Sequence, residues 1–326
     1  MSKSIALKPW HPGVSNEAPY DLFIATVGYE TRARFVAESL NVQSKMKVAC
    51  AFDNNKVHSY VQNLSWYKRA GYAVEEKSED TFESWCEDVL NIVAQKAKGG
   101  GIRLGIDISS MTRFRIAALV AAIFDHESRQ TFKADFLYAP ASFSPPPEQE
   151  EAPIIVCKPV LDKWAGWSVE PENPTLAVFG LGYECDKALG ALEYIEPGSV
   201  WAFMPSGENP SYDSAVRKAN ETFFESIPKS HVFQYRIDEP LECFSSLESL
   251  VYGKLKSTKP LLMPFGPKLF ALNCILVACV HFPSVAVWRV SSGPYEPPLD
   301  IVASGKVVGM QVHFEETDSG VGSPTN

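Results

Sequence analysis

The chain has 326 residues, 45% of them hydrophobic and 21% charged, with 30 basic against 39 acidic side chains and a formal net charge of −9. That length supports a large buried core, or two. The acidic balance argues against a general duplex nucleic-acid binder, which needs a basic excess to displace counterions, but leaves room for a local basic pocket.

In chain order, residues 1–19 carry Pro9, Pro12, Gly13 and Pro19 and read as an irregular arm. The pattern then predicts a strand over Asp21–Val27, a helix over Glu30–Leu40, a buried strand over Lys47–Phe52 and a helix over Lys56–Ala70 closed by Gly71. A short strand follows at Tyr72–Glu75. Phe82, Trp85, Val89, Ile92 and Val93 recur at helical spacing within Thr81–Lys98, and Gly99-Gly100-Gly101 ends that helix. Ile102–Ile108 is a strand, Arg115–Phe124 a helix and Ala134–Tyr138 a strand. Ser142–Glu151, with three prolines and an acidic run, reads as a solvated linker, followed by one apolar strand at Ile154–Cys157.

The order then repeats. Strands are expected at Thr175–Phe179, Ser199–Met204, His231–Arg236, Pro260–Met263 and Val285–Val290. Helices are expected at Asp186–Tyr194, Ser211–Glu225, Leu241–Lys256 and Leu269–Val280. Ile301–Phe314 reads as a closing hairpin turning at Ser304-Gly305-Lys306, and 317–326 as a disordered tail. Alternating strands and helices point to α/β architecture with mainly parallel sheets. The expected organisation is a first Rossmann-like unit over 1–150 and a second over 151–316.

The anchor of the repeat is a tripeptide. Gly28-Tyr29-Glu30 follows the first strand and Gly182-Tyr183-Glu184 follows its counterpart, an offset of 182 − 28 = 154 residues. A duplicated unit faces its twin across a pseudo-two-fold axis, so a site shared by the halves is expected.

Two loops carry candidate chemistry. In open parallel sheets, ligands bind beyond the carboxyl ends of the strands. Gly28, Tyr29, Glu30 and Arg32 occupy such a position, where glycine permits close approach and a helix start offers free N–H groups. Thr31 and Glu30 can instead cap that helix. Arg32 has no basic counterpart, because Asp186 stands at the corresponding place. The second loop is Asp107-Ile108-Ser109-Ser110-Met111-Thr112-Arg113. Its small hydroxyl residues and a cation at a helix start suit a phosphate, the alternative being a serine cap with a surface arginine. In the second copy, Gly266 replaces the hydroxyl residues and Lys268 replaces Arg113 (268 − 113 = 155).

The segment Asp107–Arg113, followed by an alanine-rich helix, resembles the Asp-hydrophobic-Thr/Ser-Gly-Gly-Thr-Lys loop of CARF domains, the Rossmann-like sensors of cyclic oligonucleotides; SAVED domains are their fused two-copy relatives. Ser110-Met111 stands where two glycines are usual, and arginine replaces lysine. The resemblance implies that Ser109, Ser110, Thr112 and Arg113 line a nucleotide pocket covered by the Gly28–Arg32 loop. It also implies a nucleotide or cyclic-oligonucleotide sensor in prokaryotic antiviral defence or stress signalling, acting through an effector partner. The competing expectations are a metal-independent phosphodiesterase that cleaves such a ligand, or another nucleotide hydrolase, and a scaffold subunit.

Other features narrow the field. Seven cysteines at irregular spacing (50, 86, 157, 185, 243, 274 and 279), with no CxxC, read as reduced thiols of a cytoplasmic protein. Six scattered histidines suggest no metal centre, and no cofactor is implied. No apolar run approaches the ~20 residues of a membrane span. Asp53-Asn54-Asn55 can touch a ribose or form a turn, and Trp85, Trp164 and Trp167 read as core or interface residues in preference to stacking platforms.

Overall fold

The computed structural model describes residues 3–12, 18–97, 101–128, 130–146, 153–166, 170–293 and 298–316. The first lobe contains strands β1 (Lys3–Pro9), β2 (Tyr20–Val27), β3 (Ser44–Ala51), β4 (Ala73–Glu76), β5 (Ile102–Asp107) and β6 (Phe132–Tyr138). Its helices are α1 (Phe35–Ser39, entered through a 3-10 turn at Thr31–Arg34), α2 (Tyr60–Arg69), α3 (Glu79–Lys96) and α4 (Arg113–Phe124). The second lobe has β7 (Val156–Pro159), β8 (Thr175–Gly180), β9 (Ser199–Ser206), β10 (Val232–Arg236), β11 (Lys259–Pro264) and β12 (Ala286–Ser291). Its helices are α5 (Lys187–Ile195), α6 (Pro210–Ala219), α7 (Glu221–Glu225), α8 (Pro240–Lys254) and α9 (Lys268–Val280), and the chain closes with β13 (Val308–Glu316).

The duplication is plain in the topology. Five parallel strands lie in the order β6-β5-β2-β3-β4 in one sheet and β12-β11-β8-β9-β10 in the other. Numbered within each lobe, both read 3-2-1-4-5, the Rossmann order. Each sheet is extended beyond its fifth strand by an antiparallel strand, β13 on β6 and β7 on β12.

Alternation along the strands sorts the side chains into layers. Leu22 and Ile24 of β2, with Leu176 and Val178 of β8, face one shared core, whereas Phe23, Ala25 and Val27 face α1 and α2. Ala177 and Phe179 face α5, α6 and α7. Between the sheets lie α3, α4, α8 and α9, with α4 against α9. The two sequences RFRIAALVAAIF and KLFALNCILVACV are apolar on most faces because both helices are buried over most of their length. Instead of two separate cores, the lobes share one, flanked by two outer clusters. Trp85, Trp164, Cys274 and Cys279 lie in the shared core; Trp167 is outside the described residues.

Several expectations need correction. The N-terminal arm contains a seven-residue strand, β1, because Ile5 and Leu7 alternate onto the shared core and β13 offers it an edge. The closing segment is not a hairpin. Only Val308–Glu316 is a strand, and it pairs with β1 and β6 of the first sheet, so it returns to the first lobe instead of completing the second. Residue 303 makes a single bridge to Ala141. The helix expected over Ser211–Glu225 breaks at Asn220 into α6 and α7, and that over Glu30–Leu40 begins as a 3-10 turn. The linker strand is shifted by two residues, to Val156–Pro159. The expected tail, 317–326, lies outside the described residues. No helix among them is long and apolar enough to cross a membrane.

Candidate functional site

In each sheet the chain reverses direction across its first strand, between β2 and β5 and between β8 and β11. Loops leaving the carboxyl ends of those neighbours diverge, which is where such sheets bind ligands. The loops are Gly28–Arg32 with Ile108–Arg113, and Leu181–Glu184 with Phe265–Lys268. All four sequence-selected segments therefore sit at the two switch points, and the lobes bring them together.

In the first lobe, Gly28 lies against the second loop so closely that an added Cβ would come within 2.8 Å of the Ser110 Cβ. Asn63, 1% exposed, donates to the Gly28 carbonyl (2.9 Å) and the Glu30 carbonyl (2.8 Å) and so fixes the loop's path. The Glu30 carboxylate accepts from Arg32 Nε (2.8 Å) and from the Ser110 hydroxyl (3.2 Å). Arg32, 4% exposed, also donates to the Tyr138 hydroxyl (3.3 Å) and the Ala139 carbonyl (3.0 Å). Burial opposes its charge, but Glu30 and Tyr138 outweigh that and hold the guanidinium above its ordinary pKa. Arg32 is thus a brace inside the lobe.

The second lobe repeats this plan with other atoms. Gly182 abuts Gly266, where a Cβ would fall 2.6 Å from the Gly266 Cα, and Gly266 adopts φ +62°, a left-handed conformation suited to glycine. Asn220 donates to the Gly182 carbonyl (2.9 Å), as Asn63 does to Gly28. Glu184 Oε1 accepts from the Gly266 N–H (3.3 Å), as Glu30 accepts from Ser110. The tyrosines match as well: Tyr29 packs on His58 and Tyr183 on Tyr212, with ring centroids 6.1 and 5.0 Å apart.

Between the lobes, Arg113 reaches from the start of α4 to Glu184 (3.5 Å) and to the Gly266 carbonyl (3.4 Å). Its Nε and the Glu184 Oε2 are buried without a hydrogen-bond partner among the described residues. Lys268, its counterpart at the start of α9, is half-buried and makes no hydrogen bond or ion pair with any described residue. Burial first, and then Arg113, push its ammonium down to about 8, against the pull of Glu30 and Glu184. Arg32 offsets Glu30 and Arg113 offsets Glu184, so among the described residues Lys268 is a cation without an ion-pair partner in this cluster. The two helix starts also differ. Thr112 caps α4 by accepting from the Arg115 N–H (3.2 Å), whereas α9 has no side-chain cap. An uncapped helix start beside a free ammonium and an orphaned guanidinium N–H can bind an anion.

The remaining loop residues face elsewhere. Asp107 is fully enclosed; its Oδ1 accepts from the Ser109 N–H (2.9 Å) and hydroxyl (2.6 Å), and burial pushes the carboxyl up to about 7. The Ser109 hydroxyl in turn accepts from the Ala139 N–H (2.8 Å). Of the hydroxyls expected to line a pocket, those of Ser109 and Thr112 are therefore committed within the first lobe, and that of Ser110 turns to Glu30. The Asp53-Asn54-Asn55 segment is an exposed turn, with Asn55 at φ +50°.

Sequence reasoning missed four residues. Asn63 and Asn220 differ by 157 positions, and aligning the two copies around the 154-residue offset would have exposed them. Arg115 is buried and donates to the carbonyls of Cys50, Ala51 and Lys77 (2.7–3.3 Å), closing the carboxyl ends of β3 and its neighbour. Asp300 belongs to the C-terminal segment crossing the first loop. Its carboxylate accepts from the Thr31 N–H (2.6 Å) and hydroxyl (2.8 Å), and the Ile301 carbonyl accepts from the Arg32 N–H (3.0 Å). That segment, not the ligand side, secures the Gly28–Arg32 loop.

Among the described residues, no three or more His, Cys, Asp or Glu side chains gather in metal-ligating geometry. The chain matches no protein-family model and none of the curated proteins.

Proposed function

We propose that the protein binds an anionic, phosphate-bearing ligand of the nucleotide class where its lobes meet, around Lys268 and Arg113, and acts as a sensor. The observation that carries this reading is Lys268, a half-buried ammonium with no bonded partner among the described residues, beside the uncapped start of α9. Keeping such a cation desolvated is unfavourable unless something anionic repays it. A phosphate there would engage Lys268, the first N–H groups of α9 and Arg113, whose hold on Glu184 at 3.5 Å is loose enough to exchange. The likeness of the Asp107–Arg113 loop to CARF domains points to the same ligand class, including cyclic oligonucleotides, and to prokaryotic defence or stress signalling through an effector.

One observation favours a second reading. An amine titrating near 8 beside two carboxylates can exchange protons at neutral pH, as a phosphodiesterase that aligns a ribose hydroxyl on its own phosphate would need. A single experiment separates the two. The protein is titrated with mono- and dinucleotides and with cyclic oligoadenylates while melting temperature and product formation are followed together. Stabilisation without turnover, lost in Lys268→Met and Arg113→Ala, supports the sensor. Turnover lost in the same variants supports the enzyme. No shift and no product with any of these ligands refutes both.

A further inference from the structure

The two lobes are not equally covered. In the first sheet, β13 is followed by one more strand, β1, which lies against α8 and α9. Its Ile5 and Leu7 pack on the shared core, and its Lys3 ammonium reaches the Ile123 carbonyl at the end of α4 (3.2 Å) over the Phe132 ring. In the second sheet, β7 stands where β13 stands, but among the described residues it is the outermost strand. The duplication makes α3 and α4 the counterparts of α8 and α9. Alongside α3, α4 and β7, where a counterpart of β1 would run, there is a groove of about 740 Å³.

Its lining is predominantly acidic, with seven carboxylates against the cations Lys158, Lys163 and Arg289. The floor is formed by Ala118, Ala121 and Ala122 of α4, small enough to admit a backbone. One wall carries Asp80, Glu83 and Glu87 of α3, and Asp162 and Glu127 also line the groove. Glu79 is taken by Arg289 and Asp125 by Lys163, while the other five carboxylates have no ion-pair partner among the described residues. Burial together with Asp162 and Glu87 keeps the Glu83 carboxyl above its ordinary range, a sign of like charge gathered around one space. The chain's own neighbouring segments suit it poorly: Glu148, Glu150 and Glu151 precede β7, and Glu315, Glu316 and Asp318 lie at the C-terminal end.

We propose that this groove takes an extended, lysine-bearing segment of a partner protein, laid along the outer edge of β7 against α3 and α4 as β1 lies along β13 against α8 and α9. Main-chain pairing with the short edge Val156–Lys158 would set its direction, since Pro159 has no N–H to offer, and the α3 carboxylates would select its lysines. This reading does not depend on the ligand proposed for the Lys268 and Arg113 region.

The test uses the full chain and a fluorescein-labelled peptide of the β1 sequence, Ser-Lys-Ser-Ile-Ala-Leu-Lys-Pro-Trp, followed by fluorescence polarisation. Saturable binding is expected, weakened by at least about tenfold in the double variant Glu83→Lys, Glu87→Lys and abolished when both peptide lysines are glutamate. Both groove residues are exposed, so the double variant should keep its melting temperature. A photo-crosslinking version of the peptide, mapped by mass spectrometry, should label residues 79–91 or 156–163, and this readout survives even if the double variant folds poorly. Equal binding to the double variant would mean exchange with β1 and would overturn the proposal. So would crosslinks confined to other elements, absence of saturation up to about 1 mM, or dimerisation through the groove in place of peptide binding.

Discussion

Replacing Lys268 by methionine should stabilise the protein, and the size of the gain can be worked out. A lysine lowered from 10.5 to about 8 in the folded state carries a charging penalty of roughly 3 kcal/mol at about 1.4 kcal/mol per pH unit. Residual solvent contact relieves part of this, leaving about 1–2 kcal/mol to be recovered at pH 7 by an apolar side chain of similar length. With an unfolding entropy of roughly 0.7 kcal/mol/K for a chain of 326 residues, the melting temperature should rise by about 2–3 °C. The pH dependence is distinctive. Between about 8 and 10.5 the unfolded chain holds the Lys268 proton and the folded one does not, so wild-type stability rises with pH across that window. Below it both states are protonated and the penalty is constant. The advantage of Lys268→Met should therefore shrink from pH 8 upward and vanish near 10.5. Differential scanning calorimetry of both proteins from pH 7 to 10.5 measures this directly. A lower melting temperature for Lys268→Met at pH 7, or a constant difference across the range, would refute the view that this ammonium is an unrepaid cation.

Three further outcomes are expected. Gly182→Ala should destabilise by about 2–3 kcal/mol because the new methyl meets the Gly266 backbone, whereas Gly28→Ala meets the Ser110 side chain and should cost only about 1 kcal/mol; denaturant melts of the two variants compare them. Asp107→Asn should flatten the acid limb of the stability profile. The folded carboxyl titrates near 7 instead of 3.8, so the wild type loses stability as pH rises between those values and the variant does not; melting at pH 5 and pH 8 tests this. Asn63→Ala and Asn220→Ala should each cost about 1–3 kcal/mol by leaving buried glycine-loop carbonyls unpaired, with similar losses in the two lobes, measured by equilibrium unfolding.

The local pattern carried most of the architecture. The apolar runs Leu22–Ala25 and Leu176–Phe179 mark strands buried on both faces, and the largely apolar sequences of α4 and α9 suit the helices at the shared core. Gly28-Tyr29-Glu30 and its repeat were legible because a switch-point loop needs small residues wherever two backbones touch. The direction of each loop side chain was not legible. In Ser109-Ser110-Met111-Thr112, three hydroxyls look alike in one dimension, yet one holds Asp107, one faces Glu30 and one caps α4.

Sequence by itself determined the α/β alternation, the duplication and the placing of cationic residues at two equivalent helix starts, because these follow from side-chain periodicity and from residues close together along the chain. Tertiary structure alone decided that Arg113 meets Glu184, 71 positions away, that Asp300 secures Thr31 across 269 positions, and that β13 returns to the first sheet. It also left Lys268 without a hydrogen-bond or ion-pair partner among the described residues. The reason is electrostatic: the free energy of a charge depends on which groups surround it once water is excluded, and two distant stretches of chain supply those groups only when the lobes close on a common core.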